Sequence, residues 1–241
     1  MRVPAASLAL PNTARRAVAL LATVAALSAV RAAPPPVQDT IAQRVAACTA
    51  CHGKEGRAAP DGYHPRIAGK PAGYLYHQLL NFRDGRRHYG PMVYLVDPLG
   101  DDYLREIAAY FAGLDLPHAP PAPPTADAAT LERGRRLVAE GDPARRVPAC
   151  TACHGAALTG VQPAIPGLLG LPRDYLSAQL GAWRSGQRRA MAPDCMAEVA
   201  KRLAPGDASA AAAWLATQPV PGPAAERLPQ KPPLDCGGVA P

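Results

Sequence analysis

Cys48-Thr49-Ala50-Cys51-His52 returns letter for letter as Cys150-Thr151-Ala152-Cys153-His154. A C-x-x-C-H pentapeptide is the attachment sequence of a covalent c-type haem. Two thiols add across the porphyrin's vinyl groups, and the adjoining imidazole takes one axial position on the iron. Helix positions three and four apart lie on one face, so both sulfurs reach one macrocycle edge and the histidine projects beside them. Two rival readings fit worse. A zinc site asks for four ligands at matched spacing. A thioredoxin-like redox pair asks for a βαβ setting, of which this chain carries no sign. Because the pentapeptide occurs twice, each time followed by glycine, it predicts two covalently attached haem c groups.

The repetition spreads outward from the pentapeptide. Cys48 and His52 match Cys150 and His154 at an offset of 102, and Pro65, Gly69, Tyr74, Leu75, Gln78, Leu79 and Gly85 recur 101 residues later. Met92 and Leu99 match Met196 and Leu203 at 104. A nearly constant offset means one unit has been duplicated. Each copy reads as three helices. The first runs over 40–50, or over 127–139 in the second copy. The middle one has Leu75, Leu79 and Phe82, or Leu176, Leu180 and Trp183, at the i, i+4, i+7 spacing of a one-sided apolar stripe. The closing one carries Leu104, Ile107, Ala108 and Phe111, or Ala208, Ala211, Ala212 and Leu215. Asp101 or Asp102, and Asp207, are the expected N-caps of the closing helices. Between the copies, Pro117 to Pro124 holds five prolines in eight residues, a semi-rigid extended connector.

Alanine and proline are abundant, while β-branched and aromatic residues are few, which favours helix and loop over sheet. The predicted fold is all-α. It has two tandem domains at 33–116 and 127–218, a Pro-rich linker at 117–126 and a Pro/Gly-rich tail at 219–241. Domains this small have modest apolar cores, so without haem each is expected to be largely unfolded. Residues 1–32 read as a leader: Arg2, Arg15 and Arg16 precede the apolar run Ala17–Val30, and Val30-Arg31-Ala32 offers a small-residue cleavage site. Export to the periplasm, with cleavage near Ala32, is the expectation. The formal net charge is +7, of which Arg2, Arg15, Arg16 and Arg31 supply +4, leaving +3 after cleavage. Up to four haem carboxylates bring this to about −1, which predicts no nucleic-acid partner. Arg86-Arg87 and Arg188-Arg189 read as solvated basic faces.

A haem iron held by one histidine takes a second axial ligand or stays open, and that choice sets its chemistry. Met92, Met191 and Met196 are the methionines left after cleavage. Met92 sits in the constrained segment Gly90-Pro91-Met92, expected to be a loop. Met196 keeps the spacing of Met92, seven before a leucine and eighteen before an aromatic. Met191 fits when counted from the middle helix and is the alternative. His64, His77 and His88 have Ile165, Ala178 and Arg189 as repeat partners, so surface or capping roles are expected for them. Beyond His118 the only histidine is His154, which excludes bis-histidine ligation within the second copy. A thioether opposite an imidazole favours ferrous iron and fills the coordination sphere, so the reading is an electron carrier and not an enzyme. The carbonyls of Pro65 and Pro166 are expected to accept the other N–H of each proximal imidazole. Arg66 and Arg173 are lesser candidates for pairing with haem carboxylates. Cys195 and Cys236 are expected to form a disulfide outside the cytoplasm, the alternatives being free thiols or an intermolecular bridge.

On these residues the chain resembles the dihaem cytochrome c4 family. The carriers are both Cys-Thr-Ala-Cys-His-Gly stretches, Pro65-Arg66-Ile67-Ala68-Gly69, Tyr-Leu-x-x-Gln-Leu at 74 and 175, the Met92 segment, and Cys195-Met196-Ala197-Glu198-Val199-Ala200-Lys201-Arg202-Leu203. The resemblance implies two class I cytochrome c domains related by pseudo-two-fold symmetry, with haem carboxylate edges close together. It implies His52 with Met92 and His154 with Met196 as axial pairs. It also implies periplasmic electron delivery, often to a terminal oxidase. The expected role is single-electron transfer from a dehydrogenase or quinol-oxidising donor to such an acceptor, with peripheral docking on a membrane complex as the expected mode. The rival readings are the cytochrome subunit of a periplasmic dehydrogenase, and a dihaem peroxidase or thiosulfate-oxidising enzyme.

Overall fold

A computed structural model describes residues 38–222, 226–227 and 232–239; the leader at 1–32 lies outside them. The first copy is built from α1 (Ile41–Arg44), α2 (Ala46–His52), α3 (Ala72–Arg83), α4 (Gly90–Val96) and α5 (Asp101–Ala112). The second is built from α6 (Ala128–Glu140), α7 (Thr151–His154), α8 (Arg173–Ser185), α9 (Cys195–Arg202) and α10 (Asp207–Ala216). The tandem helical architecture is therefore as read from the sequence, with additions. The helix expected over 40–50 breaks at Val45, whose side chain is buried in the first core. A three-stranded patch also appears, β1 (Gly160–Gln162), β2 (Ile165–Pro166) and β3 (Glu226–Arg227), in the order β2-β1-β3. β1 pairs antiparallel with β2 and parallel with the tail strand β3.

The predicted apolar stripes build the cores. Leu75, Phe82, Leu104, Ile107, Ala108 and Phe111 are buried together between α3 and α5. Val138, Leu176, Ala211, Ala212 and Leu215 are buried together where α6, α8 and α10 meet. α6 and α10 cross at Gly134, where a Cβ would lie 2.2 Å from the carbonyl oxygen of Ala210. Only a glycine lets the two backbones approach so closely.

The closing helices are capped differently from expectation. Gly100 and Gly206 occupy the N-cap positions, and Asp101 and Asp207 are the first helical residues. The Asp101 carboxylate turns aside to Arg83 Nη1 at 2.7 Å and the Tyr76 hydroxyl at 3.1 Å. Asp207, fully buried, accepts from the Ala204 backbone N–H at 2.7 Å and from Arg133 Nε at 2.6 Å, with Arg133 Nη2 also in contact. An arginine has captured each side chain, Arg83 that of Asp101 and Arg133 that of Asp207.

The Pro-rich segment is fastened at both ends. Arg66 donates from Nη2 to the Leu116 carbonyl at 2.5 Å and from Nη1 to the Pro117 carbonyl at 3.1 Å, and the Ala122 N–H donates to Ala216 O at 3.2 Å. Arg66 is thus a buried strap for the connector. The copies also touch directly, through the Gly73 N–H on the Pro163 carbonyl at 3.1 Å.

Candidate functional site

The two proximal histidines close α2 and α7, and both are buried. Each is followed by a glycine with positive φ, +75° at Gly53 and +87° at Gly155, a conformation cheap only for glycine. At Gly53 a Cβ would also fall 2.2 Å from the Ala58 carbonyl oxygen. The chain can therefore turn sharply away from each imidazole. His52 donates from Nδ1 to the Pro65 carbonyl at 2.8 Å, and His154 from Nδ1 to the Pro166 carbonyl at 2.7 Å, as the sequence led one to expect. Those carbonyls are held in place. Ile67 and Ala68 N–H groups donate to Gly56 O, Gly69 N–H donates to Phe111 O, and Leu168 N–H donates to Leu158 O, all between 2.9 and 3.0 Å. Burial lowers the pKa of both histidines, against the raising effect of the carbonyl bond. With Nδ1 committed to a carbonyl, Nε2 is the ring nitrogen each imidazole has left for a metal.

Burial raises the pKa of Cys48 and Cys153, and pushes Cys150 up to about 11. Such thiols are poor thiolate ligands. In the first copy Cys48, Cys51, His52 and Met92 line a single cavity of about 1260 Å³, walled by Leu75, Phe82, Ile107 and Phe111. That exceeds the roughly 300–1,000 Å³ of ordinary small-molecule pockets and leaves room for a macrocycle.

Met92 lies in the first turn of α4 and packs on the first core, so the segment expected as a loop is helical, opened by Pro91 near its start. Met196 occupies the first turn of α9 and is part-buried, whereas Met191 is 37% exposed in the preceding loop. Asp194, which the sequence reading passed over, fixes that turn. Its carboxylate accepts from the Ala197 N–H at 3.1 Å and from the Ala190 N–H at 2.7 Å. An aspartate just before an amphipathic run was the available signal. The Cys195–Cys236 disulfide forms. Two of the other histidines have hydrogen-bond partners of their own. His64 has Asp61 Oδ2 at 2.6 Å from Nδ1 and the Tyr89 hydroxyl at 3.2 Å from Nε2, and His77 donates from Nδ1 to the Gly238 carbonyl at 2.9 Å.

The basic pairs read as solvated faces need correction. Arg87 and Arg188 form an antiparallel backbone bridge between the copies, and Arg188 is buried. Arg87 reaches Gln78 Oε1 at 3.1 Å and Gln179 Oε1 at 2.9 Å; Arg188 reaches Gln179 Oε1 at 2.5 Å and Gln78 Oε1 at 2.8 Å. Exchanging the copies maps this network onto itself. Each guanidinium also stacks on the matching ring, Arg87 on Phe82 at 4.6 Å and Arg188 on Trp183 at 3.8 Å. Among the described residues neither arginine has a carboxylate partner, and both line the large cavity. Beside them, the buried Trp183 Nε1–H has no acceptor among the described residues. Buried cations call for compensating anions. Haem carboxylates meet that demand, so the residues fit the group. Arg173, the other candidate, donates to Thr125 Oγ1 at 3.1 Å and Ser209 Oγ at 3.0 Å.

No protein-family model matches the chain. It is 38% identical over 197 residues to the thiosulfate dehydrogenase electron acceptor of Thiomonas intermedia, covering 82% of this chain and 90% of that one. It is 32% identical to cytochrome c4 of Thiocapsa roseopersicina, over 77% of this chain and 95% of that one. The crystal structure of reduced cytochrome c4 from Pseudomonas stutzeri superposes with a TM-score of 0.63 at 31% identity, covering 72% of this chain and 94% of that chain. A thiosulfate dehydrogenase structure from Marichromatium purpuratum superposes with a TM-score of 0.64 at 34% identity. There the match covers 72% of this chain but 36% of that one. With two C-x-x-C-H helices on tandem cytochrome c folds, the molecule is a dihaem c-type cytochrome carrying two covalently attached haem c groups, and an electron carrier. The chain belongs to the cytochrome c4 family.

Proposed function

We propose that this cytochrome holds its first iron between His52 and Met92 and its second between His154 and Met196. Cys48 with Cys51, and Cys150 with Cys153, are then the thioether anchors. The observation that carries the reading is the pair of buried imidazoles, each with its Nδ1 proton committed to a proline carbonyl. The matched placement of Met92 and Met196 in the first turns of α4 and α9 supports the distal pairing, and the exposure of Met191 counts against it as ligand. When bound, haem supplies reversible one-electron exchange at a filled coordination sphere. The chain's part is to keep that sphere filled and the geometry constant. The proline carbonyls orient the imidazoles, Asp194 orients the turn bearing Met196, and the Arg87–Arg188 network holds the copies together and offers positive charge to carboxylates. With both thioethers bound, neither iron would offer an open ligand position to oxygen or peroxide.

The same reading places the domains at 33–116 and 127–218, joined at 117–126, with cleavage near Ala32 and function in the periplasm. Among the described residues no helix is long and apolar enough to cross a membrane. As a family member the protein serves redox partners. Relatives named as electron acceptors of thiosulfate dehydrogenase favour a thiosulfate dehydrogenase as donor, with a terminal oxidase as acceptor. A second reading, a subunit docked permanently on such a dehydrogenase, is favoured by the likeness to one part of the longer Marichromatium chain. Mixing the oxidised cytochrome with a thiosulfate dehydrogenase and thiosulfate tests the donor. Reduction within seconds is expected, and its absence would contradict it. Co-elution of the two proteins at micromolar dilution separates the docked reading from the transient one.

A further inference from the structure

The duplicated sites are not held alike. In register, the residue before Met92 is Pro91 and the residue before Met196 is Cys195, which is bonded to Cys236 in the tail. The tail is seated there by more than sulfur. The Gly237 N–H donates to the Pro193 carbonyl at 2.9 Å, and a Cβ at Gly237 would lie 2.1 Å from the Ala192 carbonyl oxygen. One residue further, the Gly238 carbonyl accepts from His77 on α3, in the other copy. The segment at 236–238 therefore bears on the loop just before Met196 and ties it to the first copy, and no covalent link serves Met92.

We infer that the Cys195–Cys236 clasp is a positioning device that sets the second site apart from the first by holding the Met196 thioether against displacement. This rests on Met196 as the second axial ligand, and the experiment keeps the two claims apart. A thioether on ferric haem gives a far-red charge-transfer absorption that imidazole abolishes by displacing the sulfur. In the oxidised dihaem protein, Met196→Ala should remove half of that band; an undiminished band would refute the ligand assignment whatever the clasp does. The clasp is tested in Met92→Ala, where only the second site contributes. Adding Cys195→Ser with Cys236→Ser should lower the half-displacing imidazole concentration at least threefold, and any smaller change overturns the inference. Should the serine variant fail to retain haem, Cys236→Ala decides. It cuts the clasp while leaving Cys195 beside Met196, and the same threefold criterion applies.

Discussion

Asp207 and Lys70 show what burial does to single charges. Asp207 has no exposed surface, and its carboxylate is matched by Arg133 and a backbone amide. Replacing Arg133 with methionine leaves that charge short of its main partner, and hydrogen bonds to charged groups contribute roughly 1.5–3 kcal/mol. Chemical denaturation of Arg133→Met should therefore show a loss of about 2 kcal/mol, and an unchanged midpoint would show the pair to be inert. Lys70 lines the large cavity, and burial pulls its pKa down from 10.5 to about 8. Between these values the unfolded chain keeps a proton that the folded chain has released, so stability rises with pH over that window. Denaturation midpoints of the wild type should climb from pH 8 to 10.5 relative to Lys70→Met. Parallel curves would contradict the shift. Some residue-scale facts were legible and others not. The proline carbonyl partners followed from the need of a ligating imidazole to fix its other nitrogen. The fate of Arg87 and Arg188 did not, because in sequence a buried arginine pair looks like a solvated one until its partners across the copies are known.

Among the elements, apolar spacing told the most. The stripes on α3 and α5 are where apolar spacing put them, because burying a face is the dominant reason such helices form; on α8 Leu176 enters the core while Trp183 carries the Arg188 guanidinium instead. Starts of helices were less legible. Gly100 and Gly206 cap because Asp101 and Asp207 are drawn to arginines distant in sequence. The Met92 segment was expected as a loop, yet Gly90-Pro91 opens a short helix, in keeping with proline's fitness for the first helical turn. The α6–α10 crossing makes a sharp forecast. Valine at Gly134 would drive a side chain into Ala210, and overpacking of this kind costs about 1–3 kcal/mol. Thermal unfolding of the holoprotein should report that loss, and a wild-type melting temperature would mean the crossing relaxes freely.

For the molecule as a whole, duplication was plain from the constant offset, and with it the tandem architecture. The seam between the copies was opaque, since its contacts join residues about a hundred positions apart. The tail's course was only half legible. Two leftover cysteines suggested their bond, but nothing predicted that Gly238 would meet His77. Size has its own consequence. Domains of this length bury too little apolar surface to stand securely alone, so material expressed without haem attachment should lack cooperative unfolding by circular dichroism. A sharp two-state transition would show that the cores suffice.

Two irons per chain, each between an imidazole and a thioether, would make this molecule an electron carrier at both ends. Near-infrared magnetic circular dichroism of the oxidised protein, with haem counted per chain by the pyridine haemochrome assay, addresses this most directly. Two haems, both with the histidine–methionine charge-transfer signature, are predicted. One haem per chain, or a bis-histidine or high-spin signature at either iron, would contradict it.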